Sequence, residues 1–138
     1  MGLSAPAWAA APRSVRAVVG GYVLLLGLGT AVHVVHLVVG GLDPYPGLPA
    51  WLTGYFVSLT VLDPLAALLL WRGRRCGVLL TGAVFVTDAA ANGWANYALD
   101  ATGGITVGRV GQAMITAAAL VFLALAPRLW RRAGPPAG

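Results

Sequence analysis

The segment AWLTGYFVSLTVLDPLAALLLW, residues 50–71, decides the fold because it is apolar almost throughout and carries one charged residue, Asp63. A helix needs about 20 mostly apolar residues to cross the hydrocarbon core of a bilayer. This segment is long enough, and the sequence Arg72-Gly73-Arg74-Arg75 that follows it is typical of a turn at a membrane surface. We therefore predict a transmembrane helix over residues 50–71.

Three more apolar segments of the same kind lie on either side of it, over about residues 15–41, 76–99 and 105–130. The cluster Asp43-Pro44-Tyr45-Pro46-Gly47 and the triplet Thr102-Gly103-Gly104 separate them and are typical of turns. The sequence therefore predicts an all-α integral membrane protein, a bundle of four transmembrane helices.

Composition supports this fold class. Of the 138 residues, 59% are hydrophobic and 9% are charged, whereas soluble domains carry about 25% charged residues. The transmembrane domain over residues 13–132 leaves no room for a separate soluble domain. The Ala/Pro-rich residues 1–12 and the Ala/Gly/Pro-rich residues 133–138 are predicted to be disordered tails.

The basic residues, which are all arginines and give a formal net charge of +5, indicate the topology. They cluster before the first helix, between the second and third, and after the fourth, with Arg109 as the exception. Under the positive-inside rule both termini are cytoplasmic. This placement explains the positive charge without a nucleic-acid partner. The lack of lysine and the abundance of Ala, Gly, Val and Arg suggest a GC-rich bacterium, and hence a bacterial plasma membrane.

Metal and cofactor sites are not predicted. Cys76 is the single cysteine, so neither an intrachain disulfide nor a thiolate zinc site can form. His33 and His36 have a spacing that is not specific for a metal, and no phosphate-binding loop or catalytic-triad signature is present.

Two aspartates near the bilayer centre, Asp63 and Asp88, are the most informative polar residues. Each costs about 2.5–3.5 kcal/mol to insert, so we expect both to face the interior and to have a function. At 100° per residue, polar residues of the other helices align with them on inward faces. We predict a polar-floored cavity that opens toward the outer side. The candidate catalytic residues are His36, Asp63 and Asp88, and the candidate ligand-binding residues are Tyr22, His33, Tyr55, Phe85, Asn92, Trp94, Asn96, Arg109 and Gln112.

Structural roles are open for several of these residues. The histidines and asparagines could only hydrogen-bond across helices. Asp63 could pair with Arg109 or a histidine as a lock, and Trp94 could belong to the aromatic belt of the membrane interface.

Three motifs, in order and with matching spacing over about residues 30–90, resemble the EXPERA superfamily of emopamil-binding sterol isomerases and sigma-2 receptor proteins. They are His36-Leu37-Val38-Val39-Gly40-Gly41, similar to His-Leu-x-x-Glu-Gly, Leu62-Asp63-Pro64-Leu65, similar to Trp-Gly-Pro-Leu, and Val86-Thr87-Asp88, similar to Tyr-Gly-Asp. The resemblance implies a four-helix fold with a membrane cavity for a sterol-like or other hydrophobic molecule, often one bearing a cationic amine.

The chain departs from the isomerases at their catalytic residues. Gly40 stands where they carry a glutamate, Tyr55 stands at their second catalytic glutamate, and Gln112 corresponds to an asparagine of their last helix. Isomerisation needs a proton donor and an acceptor, which here would have to be Asp63 and Asp88.

Three functions are compatible with these patterns. The first is binding of an isoprenoid, sterol-like or terpenoid molecule, with proton-transfer isomerisation or cyclisation as an enzymatic extension. The second is a small proton-coupled transporter, and the third is a non-catalytic membrane assembly subunit. The expected partners are a lipophilic molecule and membrane lipids, and small residues four apart, as at Gly104 and Gly108, are compatible with a homodimer.

Overall fold

The computed structural model describes residues 8–134, in which four long helices are joined by short loops. The helices are α1 (Arg13–Gly40), α2 (Ala50–Trp71), α3 (Arg75–Trp94) and α4 (Val107–Arg132). Each is long and apolar enough to cross a membrane. The predicted all-α class and the four membrane-length helices are confirmed for the described part of the chain.

The third helix differs from its prediction at one end. The sequence predicts a helix to about residue 99, but α3 ends at Trp94 and is followed by one π-helical turn over Ala95–Leu99. In this turn the amide of Asp100 donates to the carbonyl of Ala95 at 3.2 Å. The neighbouring carbonyl of Asn96 accepts a hydrogen bond from Nε of Arg109 at 3.2 Å. A contact with α4 therefore accompanies the wider turn.

The helices pack in chain order, α1 along α2, α2 along α3 and α3 along α4. The start of α3 lies very close to the end of α2 at the turn between them. A Cβ on Gly77 would collide with the backbone of Leu69 and Leu70, so glycine is needed there. The backbones of α1 and α4 approach each other less closely than those of the three sequential pairs. Side chains bridge this gap, since the Tyr22 hydroxyl donates to the carbonyl of Ala118 at 2.7 Å.

The outer surface of the bundle is apolar along its length. Leu24 and Val39 of α1, for example, are 76% and 82% exposed. In water such a surface would be unfavourable, whereas in a bilayer it contacts lipid chains. The exposure pattern is therefore that of a membrane protein.

Both ends of the described chain lie at the end of the bundle that carries the arginine clusters, here called the arginine-rich end. The Trp8 indole Nε1 donates to the carbonyl of Leu70 at 2.8 Å, and the amide of Gly134 donates to the carbonyl of Gly73 at 2.9 Å. Within the segments predicted to be disordered tails, Trp8 and Ala133 are buried at this end, whereas Ala9, Ala10 and Pro12 are exposed. The rest of the predicted tails, residues 1–7 and 135–138, lies outside the described residues.

Candidate functional site

Asp63 is the central residue of the candidate site. It lies near the middle of α2, is 4% exposed, and has no hydrogen-bond partner among residues 8–134. Its neighbour Pro64 lacks the amide hydrogen that would reach the carbonyl of Thr60 one turn earlier. The Thr60 hydroxyl oxygen is also buried without a partner in this part of the chain. Two polar side chains one turn apart on α2, Thr60 and Asp63, thus form no hydrogen bond with the described residues.

Gly29 of α1 makes room for this carboxyl group. A Cβ at position 29 would lie 2.5 Å from Oδ2 of Asp63, closer than non-bonded atoms approach. Glycine therefore allows the α1 backbone to lie against the carboxylate, and the Asp63 side chain points toward α1.

Tyr45, in the loop between α1 and α2, folds back onto the helices. Its hydroxyl forms a hydrogen bond of 2.7 Å with Nδ1 of His33. Its ring stacks on His36 with centroids 4.8 Å apart and lies 5.2 Å from Phe56. The loop thereby covers the end of the α1–α2 pair that is remote from the arginine clusters, here called the loop end.

Tyr45 is not among the site residues predicted from the sequence. A usable signal was present, because Tyr45 is an aromatic residue held between Pro44 and Pro46, and proline fixes φ. Gly41 and Gly47 flank this segment with φ of 56° and 81°, values that favour glycine and let the loop reverse.

The charge of Asp88 on α3 influences the hydroxyl group of Tyr45 in the loop. Burial, followed by the nearby Asp88 carboxylate, raises the pKa of the Tyr45 hydroxyl above its usual value of 10.0. The hydroxyl is therefore neutral at physiological pH and can share a proton with His33. Asp88 also acts electrostatically on Asp63, so the two carboxyl groups belong to one region of the bundle.

Asp88 itself is half-buried and, unlike Asp63, is hydrogen-bonded. Its Oδ1 accepts from Nδ2 of Asn92 at 2.7 Å, and Nδ2 of Asn96 donates to the Asn92 carbonyl at 2.9 Å. The shared face predicted for these residues is present, but both bonds run along α3. The interpretation that the asparagine amide groups link helices is not supported by their hydrogen bonds.

Tyr55 connects α2 to α3 close to these residues. Its hydroxyl forms a hydrogen bond of 2.8 Å with Oγ1 of Thr87, the neighbour of Asp88. The predicted ligand-binding residue Tyr55 is therefore placed with the polar groups of α3.

On α4, Gln112 faces α3. Its Nε2 donates to the carbonyl of Ala89 at 2.8 Å and to Oγ1 of Thr116 at 3.1 Å. Its Oε1 is buried and has no partner in the described segment. Gln112 therefore has a free acceptor.

The Arg109 side chain is held by contacts within the protein. Its guanidinium donates to the carbonyls of Asn96, Thr102 and Gly104, and it lies 5.1 Å from the centroid of the Tyr97 ring. These contacts fasten α4 to the end of α3. The proposed lock between Arg109 and Asp63 is not formed, because the guanidinium is occupied at the loop end.

An aromatic cluster fills the interior of the bundle between Asp88 and the arginine-rich end. Tyr22 of α1 packs edge-on against Phe85 of α3 and Phe122 of α4, with centroids 5.3 Å and 4.8 Å away. Tyr22 and Phe85, both predicted to contact a ligand, are thus brought together in the core.

Two predicted site residues lie apart from this region. Trp94 is 53% exposed. His36 is exposed, and its Nδ1 donates to the Val32 carbonyl at 2.9 Å. It lies about 10 Å beyond Gly29 along α1 at 1.5 Å per residue, so it does not contact Asp63 directly.

Two surface cavities, of about 450 Å³ and about 570 Å³, lie elsewhere. The first is at the arginine-rich end beside Trp8 and Arg13, and the second faces outward beside Tyr97 and Arg109. Neither is lined by Asp63 or Asp88, so the predicted polar-floored cavity is not one of these two. Among residues 8–134, no group of three or more His, Cys, Asp and Glu side chains is arranged to hold a metal ion.

Comparisons of the chain with protein-family models, with curated proteins and with solved structures give no match. The function of the site therefore has to be inferred from its residues and their geometry.

Proposed function

We propose that this protein binds a lipophilic small molecule within the membrane, and that Asp63 receives a hydrogen-bond-donating group of that molecule, such as a hydroxyl or a protonated amine. The observation that carries the proposal is the buried Asp63 carboxyl, which has no partner within the described chain. An unsatisfied buried polar group costs about 1–3 kcal/mol, and more when it is charged. A ligand that supplies the missing donor would recover this free energy.

The neighbouring unsatisfied atoms support a polar ligand group. The Thr60 hydroxyl lies one turn from Asp63, and the free Oε1 of Gln112 is a second acceptor in the bundle. The His33–Tyr45 pair adds a hydrogen-bonded group at the loop end. A molecule with one polar end and an apolar body matches this arrangement, because its polar end can bind the few polar side chains while its body contacts the apolar helices.

The route of entry is from the lipid, between α1 and α4. The backbones of this pair are the least closely packed neighbours in the bundle, and the bridge formed by Tyr22 with Ala118 and Phe122 lies toward the arginine-rich end. A lipophilic molecule would therefore enter on the loop side of Tyr22.

The EXPERA resemblance fits the same proposal, because that family implies a hydrophobic ligand that often carries a cationic amine. In an enzymatic extension, Asp63 and Asp88 exchange a proton with a ligand double bond. His36 is then a remote residue, since it stacks on Tyr45 and lies two helical turns from Gly29.

The test uses N,N-dimethyldodecylamine as the probe and thermal unfolding in dodecyl maltoside, followed by circular dichroism, as the measurement. The amine should raise the Tm of the wild type, because a ligand at 100 times its Kd stabilises by about 2.7 kcal/mol. The rise should be lost in Asp63→Asn and kept in Asp43→Asn, which removes a carboxylate from the exposed loop. Equal rises in all three proteins would contradict the proposal, and a wild type unaffected by the amine would favour the assembly-subunit hypothesis.

A further inference from the structure

The cavity of about 450 Å³ at the arginine-rich end combines charged and aromatic walls. Arg13 and Arg16 of α1 line it together with the rings of Trp8 and Trp71. It lies where the helices leave the hydrocarbon region, because α1 begins at Arg13 and α2 ends at Trp71. The cavity is therefore separate from Asp63 and placed at the membrane interface.

The two guanidinium groups are available for a ligand. Arg13 and Arg16 are three residues apart in the first turns of α1, a spacing that puts side chains on the same helix face. Neither side chain has a hydrogen bond or an ion pair to the part of the protein that the structure describes. Arg109, in contrast, binds three carbonyls, and Arg75 lies 5.3 Å from the Trp130 ring centroid.

The aromatic walls are held in place by the fold. Trp8 is 4% exposed, and its indole is fixed by the hydrogen bond of 2.8 Å to the Leu70 carbonyl. This bond joins the start of the described chain to the end of α2, next to Trp71. The cavity is thus built by two segments that are distant in sequence.

We propose that this cavity binds a phosphate group, supplied by the headgroup of an anionic phospholipid. Guanidinium groups bind phosphate oxygens in a planar, bidentate geometry. Tryptophan rings are favourable at the depth of lipid headgroups, and basic pockets between transmembrane helices bind anionic headgroups. The apolar rings would contact the glycerol and upper acyl carbons while the arginines hold the phosphate.

The experiment measures binding of dioleoylphosphatidylglycerol to the full-length protein by native mass spectrometry, and binding of inorganic phosphate as a second arm. The test variant is R13Q/R16Q. The control is R131Q/R132Q, which removes the same charge at the same end but from residues outside the cavity. Circular dichroism and Tm verify that both variants fold.

Retention of the lipid should fall about tenfold or more in R13Q/R16Q and remain near wild type in the control, since the first variant loses the charge-assisted hydrogen bonds to the phosphate. Arginine-dependent binding of the lipid without binding of inorganic phosphate supports a headgroup site. Arginine-dependent binding of both supports a phosphate site that also takes the free anion. Equal retention in both variants, or binding that does not depend on Arg13 and Arg16, overturns the proposal.

Discussion

Gly29 of α1 and Asp63 of α2 lie so close that a single methyl group would not fit between them, since a Cβ on Gly29 would be 2.5 Å from Oδ2 of Asp63. Because Gly29 has no side chain, the Asp63 carboxylate can lie against the backbone of α1. This contact positions the group to which we assign ligand binding.

Substituting Gly29 by alanine should displace the Asp63 carboxyl group and weaken binding of the amine probe. Gly27→Ala is the matched control, because a Cβ there has no neighbour within 4 Å. Both changes give the same gain in helix propensity, about 0.5–1 kcal/mol, so their difference reports the contact with Asp63. We expect Gly29→Ala to be about 1–3 kcal/mol less stable than Gly27→Ala and to lose the Tm rise with N,N-dimethyldodecylamine. Identical behaviour of the two variants would mean that the close approach has no consequence.

Removing the Tyr45 hydroxyl should loosen the loop end. Tyr45→Phe keeps the ring stacked on His36 but deletes the hydrogen bond to His33, so we expect a loss of about 0.5–1.5 kcal/mol in the free energy of unfolding. Tyr97→Phe, which changes a tyrosine that is 62% exposed, should have a smaller effect. In a double-mutant cycle with His33→Phe, most of the cost of Tyr45→Phe should disappear. A cost that is unchanged in the His33→Phe background would show that the hydroxyl does not act through His33.

The ionisation of Tyr45 predicts a pH dependence at alkaline pH. Burial and the Asp88 carboxylate raise the pKa of Tyr45 in the folded protein above 10.0. Because the folded pKa is the higher one, this contribution to stability is fully present below about pH 10, the unfolded pKa of tyrosine, and is lost as the pH rises through the folded pKa. Tyr45→Phe should therefore lose less stability than the wild type between pH 9 and pH 11. At pH 10 a tyrosine with the ordinary pKa is half ionised, so the 295 nm absorbance of the wild type should exceed that of Tyr45→Phe by less than half of one tyrosinate increment. A difference of half an increment or more at that pH would contradict the assignment.

The parts of the structure that follow from local composition were predictable, and the parts that depend on contacts between distant segments were not. The four helices follow from apolar segments of sufficient length, and the burial of Asp63 follows from its place in one of them. The packing of Trp8 depends on Leu70, which is 62 residues away in the chain. The return of Tyr45 to the helices depends on His33 and Phe56, which belong to the two helices on either side of its loop.

The π-helical turn after α3 was missed for the same reason. Apolar periodicity continues through Ala95–Leu99, and nothing within that segment indicates that the helix will widen. The carbonyl of Asn96 is bound by Arg109, a residue of another helix, and a contact of this kind leaves no local pattern.

The junction between this π-helical turn and α4 supplies the last prediction. Gly108, in the first turn of α4, packs against the side chain of Asn96 with no space for a Cβ, whereas a Cβ on Gly111 would have no neighbour within 4 Å. Gly108→Ala should push the two segments apart and destabilise the protein by about 1–3 kcal/mol relative to Gly111→Ala, as overpacking does. The hydrogen bonds from Arg109 to the carbonyls of Thr102 and Gly104 should weaken with it, so amide hydrogen exchange over residues 95–106 should be faster in Gly108→Ala than in Gly111→Ala. Since Asp63 lies on α2, away from this junction, the Tm rise with the amine probe should persist in both variants. If exchange rates and stability were the same in both, Asn96 would have to accommodate the methyl group by turning away from α4.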